Sequence, residues 1–563
     1  MDHTLFTPYE QGNHNQTTSW AECIAWYEML AQRFPGVLDF AQIGVSDMGV
    51  PIHAGVVSAD GVFDRAAIKA AERPVFFNNN GIHPGEPEGV DACMALVRDF
   101  CVDPARLAAL GRTVFMFIPL YNVDGSLNRN DSSRVNQDGP ESFGFRGNSR
   151  HLDLNRDFVK CDTLTARVFN QHFTSWDPDV MVDTHTSNGA DYSYTMTLIH
   201  TQADKLGGSL GPFLRETMLP ALFAGMDERG WPTCPYVNPV QDSPDHGIAE
   251  FLETPRFSTG YAALHHTIGF MPETHMLKSF AARYDAMRAL VETVLEFTVR
   301  HGATIAALRR VDRASVSSAR SLPVHWSMDA ATPSRFRFKG YAAVYRPSIL
   351  GHYTRLSYDR SAPWERDIDY YDSFPADVDV PAPKAYIVPQ QWREAIERLQ
   401  WNGVVMERLA ADETRVLDYY HVDAVTSRAG PYEGHMFHDE LTLERHSGAL
   451  PLRAGDYVVR LDQPQARYAV EMLEPQGHDS FFRWGLFNSV LEKKEAYSDY
   501  VFEDHAAELL RDEPALRAKF DDWKAANPAM LADQGAVLDF IFAHCERYRE
   551  SEWRRYPVFM LMA

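Results

Sequence analysis

Short apolar runs alternate with helical patterns between about residues 40 and 275, and this alternation restricts the chain more than any other feature. FAQIGVS (40–46), IHAGVVS (52–58), PVFFNNN (74–80), TVFMFIPLY (113–121), DVMVDTH (179–185), YTMTLIH (194–200) and IGFMPETH (268–275) are rich in Val, Ile and Phe and bounded by Gly, Pro, Asn or Asp. They read as strands. WAECIAWYEMLAQRF (20–34) and GVDACMALVRDF (89–100) repeat apolar residues at three- and four-residue steps, the helical period. An α/β sheet covered by helices satisfies both patterns. A long helix over roughly 277–310 closes the region.

The texture then changes. The polar stretch DRASVSSARSLP (312–323) reads as a linker. Residues 324–385 alternate polar and apolar residues, as in a small β-rich unit, and SFPADVDVPAPK (373–384) is a Pro-rich connection. KAYIVP and QQWREAIERLQWNG read as a strand and a helix stopped by Gly403; residues 404–475 look β-like, and from about 485 the chain looks mostly helical. The expected division is an α/β unit over 1–312, a β-rich linker or small domain over 313–384, and a C-terminal α+β accessory region over 385–563. A chain of 563 residues is too long for one core.

Charge and cysteine usage narrow the class. A net charge of −23 repels phosphate backbones, so nucleic acid is not expected as a ligand. No run of about 18 apolar residues occurs, so no membrane span is expected. The six cysteines (23, 93, 101, 161, 234, 545) are scattered without a C-x-x-C pair, which argues for reduced thiols. The polar start MDHTLFTPYEQGNHNQ has neither a basic n-region nor an apolar h-region. A cytoplasmic location is the expectation.

GIHPGEPEGV (81–90) follows one strand and precedes one helix. H-x-x-E alone is weak in a chain with 22 His. His505 and Glu508 have the same spacing on an ordinary helix surface and serve as a control. His83 and Glu86 differ: Pro-Gly between them breaks regular structure, and the pair lies at the C-terminal end of a strand, where open α/β sheets bind ligands. A catalytic zinc wants two His and a carboxylate with one open position. His185, in VMVDTHTSNG (180–189), also ends an apolar run and is the third candidate ligand.

HLDLNRDF (151–158) sets Asp153, Asn155 and Arg156 together. Arg offers a bidentate fork to an anionic group, and Asn adds a further donor. Upstream, FRGNSR (145–150) offers Arg146 to steady a developing oxyanion. GFMPETHML (269–277) places Glu273 at the end of an apolar strand, costly for a carboxylate unless it is paired or functional.

HPGE (83–86), NVDG (122–125), Arg146, DLNR (153–156), DTHTS (183–187) and PETH (272–275) occur in an order that resembles the zinc carboxypeptidases of the carboxypeptidase A and B type. The resemblance covers roughly residues 1–310. It implies a mixed β-sheet flanked by helices and makes 1–312 the catalytic domain. It further implies one zinc per chain on His83, Glu86 and His185, with Asp153 orienting the first His. Asn155 and Arg156 would grip the C-terminal carboxylate of a peptide. Arg146 would polarise the scissile carbonyl, and Glu273 would act as general base and then proton donor. The short spacing from Arg146 to Asn155 departs from the family pattern and leaves Arg150 as a competitor. The family's mobile Tyr has no obvious match: Tyr261 is too close to Glu273, leaving Arg256 or a Tyr from elsewhere.

Two rivals stand beside this reading. One is an aspartoacylase-type deacylase or amidohydrolase acting on N-acyl amino acids or on modified or cell-wall peptides. The other is a non-catalytic binding protein on the same scaffold. In GHMFHDELTLERH (434–446), His435 and His438 fall on opposite faces of a β-like segment and are not expected to share an ion. The C-terminal regions are candidates for narrowing access to the cleft, building a homo-oligomer interface or docking partners.

Overall fold

The computed structural model describes residues 3–548, 550 and 552–562; the outer limits of the expected domains, 1 and 563, fall outside them. Strands β1 (Leu38–Val45), β2 (Pro51–Val57), β3 (Val75–Asn79), β4 (Val114–Ile118), β5 (Val180–Asp183), β6 (His185–Ser187), β7 (Met196–His200) and β8 (Thr233–Pro235) precede a two-residue strand, β9 (Ile248–Ala249), and then β10 (Ile268–His275). All but β9 form one mixed sheet in the order β1-β2-β4-β3-β5-β10-β7-β8, with β6 also paired to β10. β3, β4, β5 and β10 run parallel, β1 and β2 run antiparallel to their neighbours, and β7 is antiparallel to β10 but parallel to β8. The mixed, helix-flanked sheet is the architecture expected.

Each apolar run contains a strand. DVMVDTH splits at Thr184, because β3 ends at Asn79 and leaves residues 185–187 paired to β10 alone. The central strands are buried on both faces, hence their unbroken apolar runs. One face packs on the helices Trp20–Arg33, Glu88–Val102 and Phe280–Ser318. The other packs on the helix Leu164–Trp176, and its core continues without a break into Tyr386, Val459, Tyr468 and Trp484 of the C-terminal region.

The linker expected at 312–323 is largely not one. The helix Phe280–Ser318 runs through its first half. Tertiary contacts override the polar composition: Asp312 accepts backbone N–H bonds from Ser209 and Leu210 at 2.8 and 2.9 Å. Arg313 binds Asp177 at 2.6 Å, and Val316 is buried.

Beyond it lie β11 (Ser321–Trp326), β12 (Ser334–Pro347), β13 (Thr354–Tyr371) and β14 (Ala376–Pro381), the β-rich unit expected. β12 and β13 form a long hairpin, and β13 pairs in parallel with β9. The last sheet contains β15 (Ala385–Val388), β16 (Glu407–Arg408), β17 (Glu413–Ser427), β18 (His438–Leu452), β19 (Tyr457–Arg460) and β20 (Phe559–Leu561), ordered β16-β19-β15-β20-β17-β18. The segment read as β-like up to 475 ends instead in a helix, Ala466–Leu473, whose apolar side packs into the shared core.

Candidate active site

β3 delivers the chain into the HPGE turn. The Glu86 N–H donates to the His83 carbonyl at 2.8 Å, closing the turn, and the helix Glu88–Val102 starts at once. Gly89 lets that helix lie on the sheet: a Cβ there would stand 1.9 Å from Thr184 Oγ1. Asn122 of NVDG holds the turn from the other side, donating to the carbonyls of Ile82 at 3.2 Å and Arg146 at 3.0 Å.

His83, Glu86 and His185 come together, the ligand-capable atoms of all three lying within 4.8 Å of one another. The Nδ1 atoms of His83 and His185 face the Glu86 carboxylate at 3.3 and 3.2 Å. Both Nε2 atoms point outward to carboxylates, His83 to Asp153 at 2.9 Å and His185 to Asp183 at 3.0 Å. Carboxylate partners of this kind fix the tautomer and leave the opposite ring nitrogen free to ligate. His83 Nδ1 is buried with no hydrogen-bond partner, so the donor set fits a zinc ion in type and orientation.

Burial opposes the Glu86 charge, but Arg134 and His83 hold its carboxyl well below the usual range. Burial likewise opposes a charged His185, yet Asp183 holds its pKa well above the ordinary value. Asp153 is held well below the carboxylate range by His83 and Arg146 despite its burial.

Glu273 stands directly beside His185 in the parallel β10–β6 pair. Its Oε2 is buried without a hydrogen-bond partner. Burial pushes its carboxyl up to about 8; His185 opposes this, while Glu86 and Glu253 add to it. Raised carboxyls aimed into clefts are candidates for proton transfer.

His83, Glu86, His185 and Glu273 line one cleft of about 540 Å³. Arg146 sits at its rim, donating from Nε to Asp153 at 2.9 Å with Nη1 3.5 Å from Glu86. Arg156 also lines it, donating to the Asn155 carbonyl at 2.8 Å and stacking over Phe257 with its guanidinium carbon 4.3 Å from the ring centroid. Asn155 Oδ1 accepts the Ser258 N–H at 3.1 Å, which orients its amide. Arg150 lies elsewhere, donating to the Asp162 carbonyl at 2.5 Å.

Several cleft residues escaped sequence reasoning. Arg134 binds Glu86 at 2.7 Å and the Thr186 carbonyl at 3.0 Å, nearer to the cluster than Arg146. Asp183 had a signal, since residues two apart share a strand face. Glu253 and Tyr236 come from the segment before β10, with no local motif. Glu253 is buried, accepts from Thr259 at 2.6 Å and has its carboxyl pushed up to about 7 by burial. Tyr236 lies against Phe251 at the cleft wall. Tyr261 is instead a core residue, donating to Asn402 at 2.7 Å, and Arg256 is bound to Asp479 at 2.7 Å.

The other histidines singled out in the sequence have partners of their own. His435 meets Asp162 at 2.6 Å, and His438 bridges Ser427 and Asn488 at 2.8 and 2.7 Å. His446 Nε2 is 3.4 Å from Glu444. His505 and Glu508 form an exposed pair at 3.7 Å. Among the described residues, no helix is long and apolar enough to cross a membrane.

A sheet edge carrying a His/Glu/His cluster, an adjacent buried Glu and a rim of Arg and Asn has the make-up of a hydrolase site. Residues 23–198 match the family model for zinc carboxypeptidases, Peptidase_M14. The chain is 23% identical over 425 residues to a carboxypeptidase 2 of Trichophyton equinum, covering 72% of each chain. It is likewise 23% identical over 423 residues to a carboxypeptidase 2 of Trichophyton rubrum, again covering 72% of each. Among solved structures, carboxypeptidase A from Helicoverpa armigera aligns with a TM-score of 0.37 at 14% identity, over 52% of this chain and 74% of that one. The match to the zinc carboxypeptidases thus lies in residues 23–198, and the protein is a peptide-bond hydrolase.

Proposed function

We propose that this protein is a zinc-dependent carboxypeptidase that removes the C-terminal residue of peptides. His83 and His185 through Nδ1, and Glu86 through its carboxylate, would hold one zinc per chain, oriented by Asp153 and Asp183. When bound, the ion would lower the pKa of a water towards about 7 and polarise the scissile carbonyl. Glu273 takes the proton of the attacking water and returns it to the leaving amine. Arg146 faces the developing oxyanion, with Arg134 a second cation on the same wall. Asn155 and Arg156 receive the substrate's terminal carboxylate, a group only a chain end can place there. Tyr236 is the cleft residue suited to the part of the family's mobile Tyr.

The observation that carries this reading is the register of Glu273 beside His185, which sets a raised carboxyl against the ligand cluster. Residues 1–312 would form the catalytic domain, 313–384 a small β-rich unit and 385–563 an accessory region. We place the protein in the reducing cytoplasm because its six cysteines are buried free thiols.

Elemental analysis of wild type and His83→Ala, with hydrolysis of a C-terminal peptide library, tests the proposal. About one zinc per chain, lost in the variant, with release of terminal residues is expected. Zinc without peptide release would redirect the assignment to N-acyl amino acids. A metal-free wild type would overturn it.

A further inference from the structure

Asp153, the carboxylate on His83, is itself held from the far end of the chain. Its backbone N–H donates to the carboxylate of Glu433 at 2.9 Å. Glu433 sits on the turn that joins β17 to β18, half-buried and 280 residues away in sequence. Tyr432 and His435 exchange backbone hydrogen bonds at 2.8 and 3.0 Å, so Glu433 and Gly434 form a two-residue loop. Both have positive φ, 47° and 83°. Such a turn favours Asn, Asp or Gly at its first central position. A glutamate there pays a conformational penalty, and what it gains is a side chain long enough to reach Asp153.

The same turn grips the second substrate-facing segment. The Arg256 guanidinium is bound to Asp479 at 2.7 Å and lies 5.3 Å from the Tyr432 ring and 4.5 Å from the Phe437 ring. The next residues are Phe257, on which Arg156 stacks, and Ser258, which orients Asn155. One turn of the C-terminal region therefore contacts both the segment that carries Asp153, Asn155 and Arg156 and the segment that leads into Phe257 and Ser258.

We infer that Glu433 is a positioning residue for the metal centre: the C-terminal region completes the site by fixing Asp153, and through it the His83 imidazole. This rests on the zinc reading above. The test uses the full chain in three forms, wild type, Glu433→Gly and Glu433→Gln, and measures zinc affinity by chelator competition. It also measures amide exchange at Asp153 in the zinc-free protein. Glycine removes the carboxylate while relaxing the backbone, so thermal stability should hold or rise. Zinc affinity should nevertheless fall by about threefold to tenfold, one bond further out than a direct ligand partner. Exchange at Asp153 should quicken by about fivefold or more. Glutamine retains an acceptor oxygen and should restore both. Zinc binding of Glu433→Gly within about twofold of wild type, or unchanged exchange at Asp153, overturns the inference alone. A wild type that binds no zinc overturns the metal reading and this inference with it.

Discussion

Glu273 and His185 are direct neighbours in a parallel strand pair, so one backbone ladder fixes a candidate base beside a candidate ligand. Sites carried on strands tolerate little drift. Glu273→Gln should keep the shape of the site but remove the proton acceptor. Zinc content should stay near that of wild type while kcat falls by about 10²–10⁴-fold. Retained turnover would exclude Glu273 as the base.

Asp183 has no substrate to touch, yet it holds His185 Nε2 at 3.0 Å. Asp183→Ala should weaken zinc by about 10–100-fold, read by chelator competition. Near-wild-type affinity would mean that the strand alone orients the imidazole.

Arg156 and Arg146 should separate kinetically. Arg156→Ala should raise KM for peptides with a free C-terminus and leave C-terminally amidated peptides poor substrates as before. Arg146→Ala should act on kcat, by about 10²–10³-fold if it meets the oxyanion. Equal wild-type activity on amidated peptides would remove the carboxylate clamp. A pure KM effect at Arg146 would hand the oxyanion role to Arg134.

Stability has its own pH signature far from the cleft. Glu474 is buried against Tyr386, which donates to it at 2.7 Å, and burial pushes its carboxyl up from 4.5 to about 7. The native state therefore holds this proton more tightly than the unfolded chain. Its contribution to stability is full below about pH 4.5, falls as pH rises towards 7, and is then flat. Glu474→Gln keeps an acceptor for Tyr386 and cannot ionise. It should gain on wild type by up to about 3 kcal/mol at pH 8 and by little at pH 4.5. Denaturant titrations at the two pH values measure this; a pH-independent difference would refute it.

What could be read from the sequence was whatever is local. HPGE, DLNR, DTHTS and PETH each lie within a few residues at a strand end, where period and turn chemistry identify them. Residues 268–275 form a strand with the limits expected. Arg134, Tyr236 and Glu253 reach the cleft from irregular segments with no periodicity to place them. The helix through 312–318 shows the reverse failure: its polar composition suggested a linker, but Asp312 and Arg313 are partnered by residues over 100 positions away.

The pairing of β9 with β13 stitches the segment 236–257 to the β-rich unit near its middle. That segment supplies Tyr236, Phe251, Glu253 and Phe257 to the cleft wall, whereas the ligand cluster hangs on the central sheet. This wall and the ligand cluster thus hang on different strands. Under the proposed reading, substitutions in the β-rich unit can shift this wall, and with it the terminal residue accepted, without touching His83, Glu86, His185 or Glu273.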